Sequence, residues 1–192
     1  IMSDTKSILL VGVGGQGTIL ASKLLTLGLM EAGFDVKMSE IHGMSQRGGS
    51  VSSQVRYGPA VDSPVIEPGG ADILVSFEIM EALRWLEYLK PGGRVVVNDQ
   101  QINPMPVTMG KATYAPDILE QIKAKAPLTV INAMAEAKAL GNAKAMNMIM
   151  LGAMVKSMGL TDIAWESIIR CNVKPAFAEL NITAIRRGME LI

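Results

Sequence analysis

An apolar run that ends in glycines, Ser7 to Val13 (SILLVGV) followed by GGQG, constrains this chain more than any other segment. A short β-prone stretch with no regular polar alternation reads as a strand buried on both faces, which is the pattern of a parallel sheet. Gly12, Gly14 and Gly17 permit a tight turn after it, and Gln16 to Ala32 then carries good helix formers with apolar residues on almost every side. A buried strand, a glycine turn and a helix that needs cover on both faces point to an α/β architecture with helices packed on a sheet.

The same alternation continues down the chain. Gly33 ends the helix and Asp35 to Ile41 resumes as a second strand, completing a first βαβ unit. Val51, Ser53, Val55 and Tyr57 alternate with polar neighbours, so Ser50 to Tyr57 is expected as a half-exposed third strand. Ala71 to Phe77 reads as a buried strand, Glu78 to Leu89 as a helix and Gly93 to Asn98 as the next strand. A proline-bearing loop, Asn103 to Pro106, leads to a helix around Pro116 to Ala126 and a short strand from Leu128 to Asn132. From Ala133 the pattern is helical. Gly141, Gly159 and Pro175 divide that tail into three or four helices, with Thr161 and Asp162 as amino-terminal caps of one. Met146 to Val155 is expected as a buried helix, too short to cross a bilayer. The expected fold is a three-layer, Rossmann-like α/β domain with a mostly parallel sheet, a helical carboxy-terminal part from about residue 133 to 192, and no internal linker, hence one domain over residues 1–192.

Charge and composition narrow the partners. The 192 residues carry no formal net charge and their lysines and arginines are dispersed, which argues against nucleic acid and against an anionic membrane. Hydrophobic residues make up 49% and methionines number 14, so apolar surface is left over that a subunit interface would cover; alone, the chain is expected to self-associate. Its one cysteine, Cys171, excludes an internal disulfide and cannot by itself hold an iron–sulfur cluster or a tetrahedral zinc; it is expected as a small buried residue on a helix. No cationic segment followed by a long apolar core opens the chain, so a cytoplasmic location is expected, and Ile1 before Met2 is set aside as a remnant of cloning or processing.

Two motifs carry the polar chemistry. In GVGGQG the residues Gly12, Gly14, Gly15, Gln16 and Gly17 form a candidate cofactor-binding or interface turn, because such a turn bares backbone amides at a helix amino terminus. Glu40, at the end of the second strand, stands where a ribose-binding acid would be expected. A nicotinamide or flavin site is therefore open, as is the alternative that the glycines serve helix packing and a partner chain. The second motif, SEIHGMSQRGGS at 39–50, gathers Glu40, the sole histidine His42, Arg47, Gly48 and Gly49. It reads either as an ordinary surface loop or as a cluster facing a ligand or partner.

Taken together, GVGGQG at 12–17, SEIHGMSQRGGS at 39–50, ADILVSFE at 71–78 with EALR at 81–84, and NMIMLGAM at 147–154 resemble the gamma-type subunit or domain of the 2-oxoacid:ferredoxin oxidoreductases, in order and over nearly the whole chain. The HGMSQRGG form of the loop is most similar to the indolepyruvate members. That resemblance implies oxidative decarboxylation of an aryl pyruvate with coenzyme A to an aryl-acetyl-CoA, with electrons passed to ferredoxin. It also implies a larger alpha subunit bearing thiamine diphosphate, magnesium and iron–sulfur clusters, and a chain that is inactive alone. Both glycine loops are then expected to follow the carboxyl ends of adjacent parallel strands and to share one edge. Arg47 would pair a carboxylate or phosphate there, Glu40 or His42 would fix the loop, and His42 would alternatively take part in proton transfer. A free-standing dinucleotide-binding oxidoreductase and a purely structural subunit are the competing readings.

Overall fold

The computed structural model describes residues 5–42 and 48–192, with His42 described by its backbone alone. Along the chain run β1 (Lys6–Val13), α1 (Thr18–Glu31), β2 (Asp35–His42), β3 (Ser50–Gly58), β4 (Ala71–Ser76), α2 (Ile79–Arg84), β5 (Leu89–Asn98), α3 (Met105–Thr108), α4 (Ile118–Lys123), β6 (Leu128–Ile131), α5 (Ala133–Ala139), α6 (Met146–Ser157), α7 (Trp165–Asn172) and α8 (Pro175–Glu190). The strands form one sheet in the order β2-β3-β1-β4-β5-β6. β1, β4, β5 and β6 are parallel neighbours, as their continuous apolar runs require.

β3 departs from expectation. It forms a hairpin with β2, from Asp35 opposite Gly58 to His42 opposite Val51, and inserts antiparallel between β2 and β1. Its residues from Val51 to Val55 are buried rather than half exposed. The physical reason is cover on both faces. Val55 and Tyr57 join the core beneath α1, while on the other side Gln54 Oε1 accepts a hydrogen bond from the Ile66 amide at 2.6 Å, in the connection to β4. Gln54 is thus satisfied inside the protein, whereas the Ser52 hydroxyl is buried with no hydrogen-bond partner among the described residues, so the polar alternation of this strand does not mark a solvent face.

Two apolar cores flank the sheet. One gathers Ile8, Leu10 and Val75 with α1 and the carboxy-terminal helices; the other gathers Leu9, Val11 and Leu74 with α2 and α4. In the larger core α6 is buried throughout Met146 to Val155. It can be so because α8 lies directly on it. A β-carbon added at Gly152 would stand 2.0 Å from the Ile185 carbonyl oxygen, and one added at Gly188 would stand 2.0 Å from that of Ile149. Two glycines therefore let the helix backbones touch, which no side-chain-bearing residue at those positions permits.

The tail folds into the four helices α5 to α8, and Pro175 opens α8 at a first-turn position where its missing amide costs nothing. Two local expectations are corrected. Ala164, not Thr161 or Asp162, flanks the start of α7, because the preceding turn is anchored by Trp165, whose indole nitrogen donates to the Leu160 carbonyl at 2.8 Å. Cys171 is on α7 but exposed: Trp165, Ile168 and Ile169 define the inward stripe, and a 3.6-residue period carries Cys171 outside it. Among the described residues, no helix is long and apolar enough to cross a membrane.

Candidate functional site at the carboxyl edge of the sheet

The glycine turn between β1 and α1 is closed by its own glutamine. Gln16 Oε1 accepts from the Val13 amide at 2.8 Å, and Nε2 donates to the Phe77 carbonyl at 2.7 Å and to Gln100 Oε1 at 3.1 Å. Asn98 Nδ2 meets the same two acceptors, each at 3.1 Å, while its Oδ1 takes the Ala133 amide at 3.0 Å. One amide network thus ties the ends of β1, β4 and β5 to the start of α5. Gly12 keeps this network close, because a β-carbon there would lie 2.9 Å from Gln16 Oε1 and 3.0 Å from the Phe77 β-carbon and would displace the glutamine amide. Gly17, at φ 81°, leaves room for Asn147 of α6, whose Nδ2 donates to the Gly17 carbonyl at 3.2 Å. Gly15, at φ 104°, faces open space.

Gly48 and Gly49 complete this edge. The Gly14 amide donates to the Gly49 carbonyl at 2.8 Å and the Gly48 amide donates to the Gly14 carbonyl at 3.3 Å, extending the β1–β3 ladder that ends at Val13 opposite Ser50. The two glycine loops do meet, but not as expected: they follow β1 and β2, which run in the same direction but are separated by the antiparallel β3, and the second loop reaches β1 because it leads into β3. Glu40 is correspondingly displaced. It lies on β2, two strands from β1 and therefore about 10 Å across the sheet from the turn. There it accepts the Ser22 hydroxyl at 2.7 Å and does not stand beside the turn as a ribose-binding acid must. Gly43 to Arg47 and the His42 side chain lie outside the described residues, so the roles read for His42 and Arg47 stay expectations.

Two glutamates missed in the sequence complete the wall on the α2 side. Glu78 caps α2 by accepting the Glu81 amide at 2.9 Å through Oε2. Its Oε1 accepts the Ile102 amide at 3.1 Å and the Tyr114 hydroxyl at 2.5 Å, and that hydroxyl in turn accepts the Met80 amide at 3.1 Å. Burial, reinforced by the Glu78 carboxylate, pushes the Tyr114 phenol well above its ordinary range, so it remains a donor throughout neutral and moderately alkaline pH. Glu81 reaches across to β3, where its Oε2 accepts the Ser50 hydroxyl at 2.5 Å. A cavity of about 260 Å³ opens between Val13, Ser50, Glu81, Arg84, Ile102 and Met105. The sequence did carry a signal for this pair: two acids three apart, just after a buried strand, have the spacing of a helix cap. Among the described residues, no group of three histidine, cysteine or acidic side chains could hold a metal ion.

Comparison with known proteins gives consistent answers. The family model described as pyruvate ferredoxin/flavodoxin oxidoreductase matches residues 7–191. The indolepyruvate oxidoreductase subunit IorB of Pyrococcus horikoshii is 38% identical, over 96% of this chain and 94% of that protein. The subunit of the same name from Thermococcus kodakarensis is 37% identical, over 96% and 94%. Among solved structures, the gamma subunit of a keto/oxoacid ferredoxin oxidoreductase from Geobacter sulfurreducens superposes with a TM-score of 0.71 at 25% identity, over 97% of each chain.

Proposed function

Because the chain belongs to the pyruvate ferredoxin/flavodoxin oxidoreductase family, we propose that it is the gamma-type subunit of an indolepyruvate ferredoxin oxidoreductase, one domain over residues 1–192. The observation that carries this reading is the similarity to the indolepyruvate subunits across almost the whole of both chains. The complex oxidatively decarboxylates an aryl pyruvate: the bond between carboxylate and keto carbon breaks, carbon dioxide leaves, the acyl carbon joins the sulfur of coenzyme A as the thiol releases its proton, and two electrons pass to ferredoxin. Thiamine diphosphate, magnesium and the iron–sulfur clusters belong to the larger alpha subunit in this reading, and the location is cytoplasmic. The donor chemistry of this chain agrees, since one cysteine cannot supply the thiolates of a cluster.

What this chain contributes is an ordered edge. Gly12, Gly14, Gly15, Gln16 and Gly17 on one side and Gly48 and Gly49 on the other are a docking and orienting surface that completes a site built mostly by the alpha subunit. Arg47 pairs an anionic group there, Glu40 or His42 fixes the loop, and His42 alternatively carries a proton. A free-standing nicotinamide or flavin enzyme is disfavoured by specific geometry: β3 occupies the place beside β1, Gln16 fills the crevice between the ends of β1 and β4, and the Gly14 amide is already bonded to Gly49.

The test is co-expression with the alpha subunit, followed by an assay of ferredoxin reduction dependent on an aryl pyruvate and coenzyme A. Arg47→Ala and His42→Ala are expected to assemble and to turn over slowly. Normal turnover in both assembled variants would remove the loop from the active site. Tight binding of NAD(H), NADP(H), FAD or FMN by the isolated chain would overturn the whole reading.

A further inference from the structure

The cavity beside Glu81 has a chemistry that the glycine edge does not share, and the inference drawn from it rests on the chain being one subunit of a larger oxidoreductase. Glu78 and Glu81 are both buried, at 1% and 5% exposure, but they are not equally satisfied. The Glu78 carboxylate accepts three donors, from Glu81, Ile102 and Tyr114. Among the described residues, Glu81 accepts one, the Ser50 hydroxyl at Oε2. Its Oε1 is approached, among the described residues, only by Arg84 Nε, in an ion pair at 3.6 Å that is too long for a hydrogen bond, and the Arg84 side chain is 52% exposed. A carboxylate offers about four lone-pair positions, so Glu81 stands in the cavity wall with acceptor capacity to spare.

The remaining wall selects the kind of group that fits. Ile102 and Met105 form an apolar collar, and Met105 is 70% exposed at its rim. Two carboxylates against one outward-lying guanidinium make the interior acidic, which repels a phosphate or carboxylate and attracts a cation. A long cationic side chain matches both parts: its methylenes lie along the collar while its head donates to Glu81 Oε1. The cavity also adjoins Gly48 and Val13, so its occupant would sit on the same edge as the proposed docking surface.

We propose that this cavity is the socket for one lysine or arginine side chain of the larger catalytic subunit, held by Glu81 and collared by Ile102 and Met105. Glu81→Gln keeps the shape and the Ser50 bond but removes the charge. Measured by calorimetry or surface binding against the purified alpha subunit, it is expected to weaken assembly at least about tenfold. Unchanged affinity would overturn the proposal. Two rim variants keep the test independent of folding, because Met105 is solvent-exposed: Met105→Arg is expected to weaken assembly and Met105→Glu to preserve or strengthen it. Equal affinities for these two would overturn the cationic assignment. Failure of the wild-type chain to bind any alpha subunit would instead remove the subunit reading itself, which separates the two failures.

Discussion

The contact between α6 and α8 and the carboxyl edge of the sheet are both tightly built, yet by opposite means. Along α6 and α8 the absence of side chains at Gly152 and Gly188 brings carbonyls and α-carbons into contact, inside a layer of methionine, leucine and isoleucine. At the carboxyl edge the order comes from side-chain amides and carboxylates: Gln16, Asn98, Glu78 and Glu81 each bridge segments distant in sequence. The first arrangement depends on shape and tolerates no added volume. The second depends on matched donors and acceptors, and it can leave capacity facing a cavity, as Glu81 does. The contrast separates a region that keeps the subunit folded from one equipped to meet something else.

Adding volume to the helix contact should have the largest effect. Gly152→Val places carbon where the Ile185 carbonyl oxygen stands, and separating α6 from α8 should cost roughly 3 kcal/mol or more, seen as a large drop in urea or thermal midpoint. A near-native midpoint would mean the two helices are not held in contact. Next comes Glu78→Ala, which leaves the Glu81 and Ile102 amides and the Tyr114 hydroxyl unpaired; about 2 to 4 kcal/mol is expected from the lost cap and the orphaned donors. Hydrogen exchange should show that loss at residues 78–84 and 102 before it shows at α6.

Gln16→Ala should cost less, about 1 to 2 kcal/mol, because the Phe77 carbonyl and Gln100 Oε1 keep their bonds from Asn98 Nδ2 and the Val13 amide alone loses its partner. Its effect on alpha-subunit assembly should exceed its effect on stability; the reverse ranking would make Gln16 a folding residue only. The smallest effect belongs to the surface pair of Glu136 on α5 and Arg187 on α8, which lies 2.8 Å apart and holds the Glu136 carboxyl below its ordinary value. A carboxyl whose pKa is lowered by folding adds stability above its unfolded value near 4.5, and that stability disappears as pH falls through the folded value. Comparison of wild type with Glu136→Gln from pH 7 to pH 3 should therefore show a small difference at neutrality that vanishes in acid. Its size is that of an exposed ion pair.

Much of this molecule was legible in one dimension. The order of the six strands, the glycine turn after β1, the buried α6 and the helical tail follow from hydrophobic periodicity and turn chemistry, which act between near neighbours, whereas the helix expected over Glu78 to Leu89 stops at Arg84 and the short α3 stands where a loop is expected. Cys171 and the start of α7 were misjudged because each depends on which face of a short helix a single tryptophan anchors. The candidate site was half visible: its glycines were conspicuous, whereas Glu78 and Glu81 look like ordinary helix acids until burial is known.

By itself the sequence determined an α/β chain with a strand, glycine turn and helix at its start, and a set of polar residues in two loops. Only the tertiary structure decided that β3 enters antiparallel beside β1, which moves Glu40 off the turn, joins Gly14 to Gly49 and seats Ser50 against Glu81. The reason is that strand order and register are set by pairings between residues tens of positions apart, where the balance of burial and hydrogen bonding over the whole sheet outweighs any local preference.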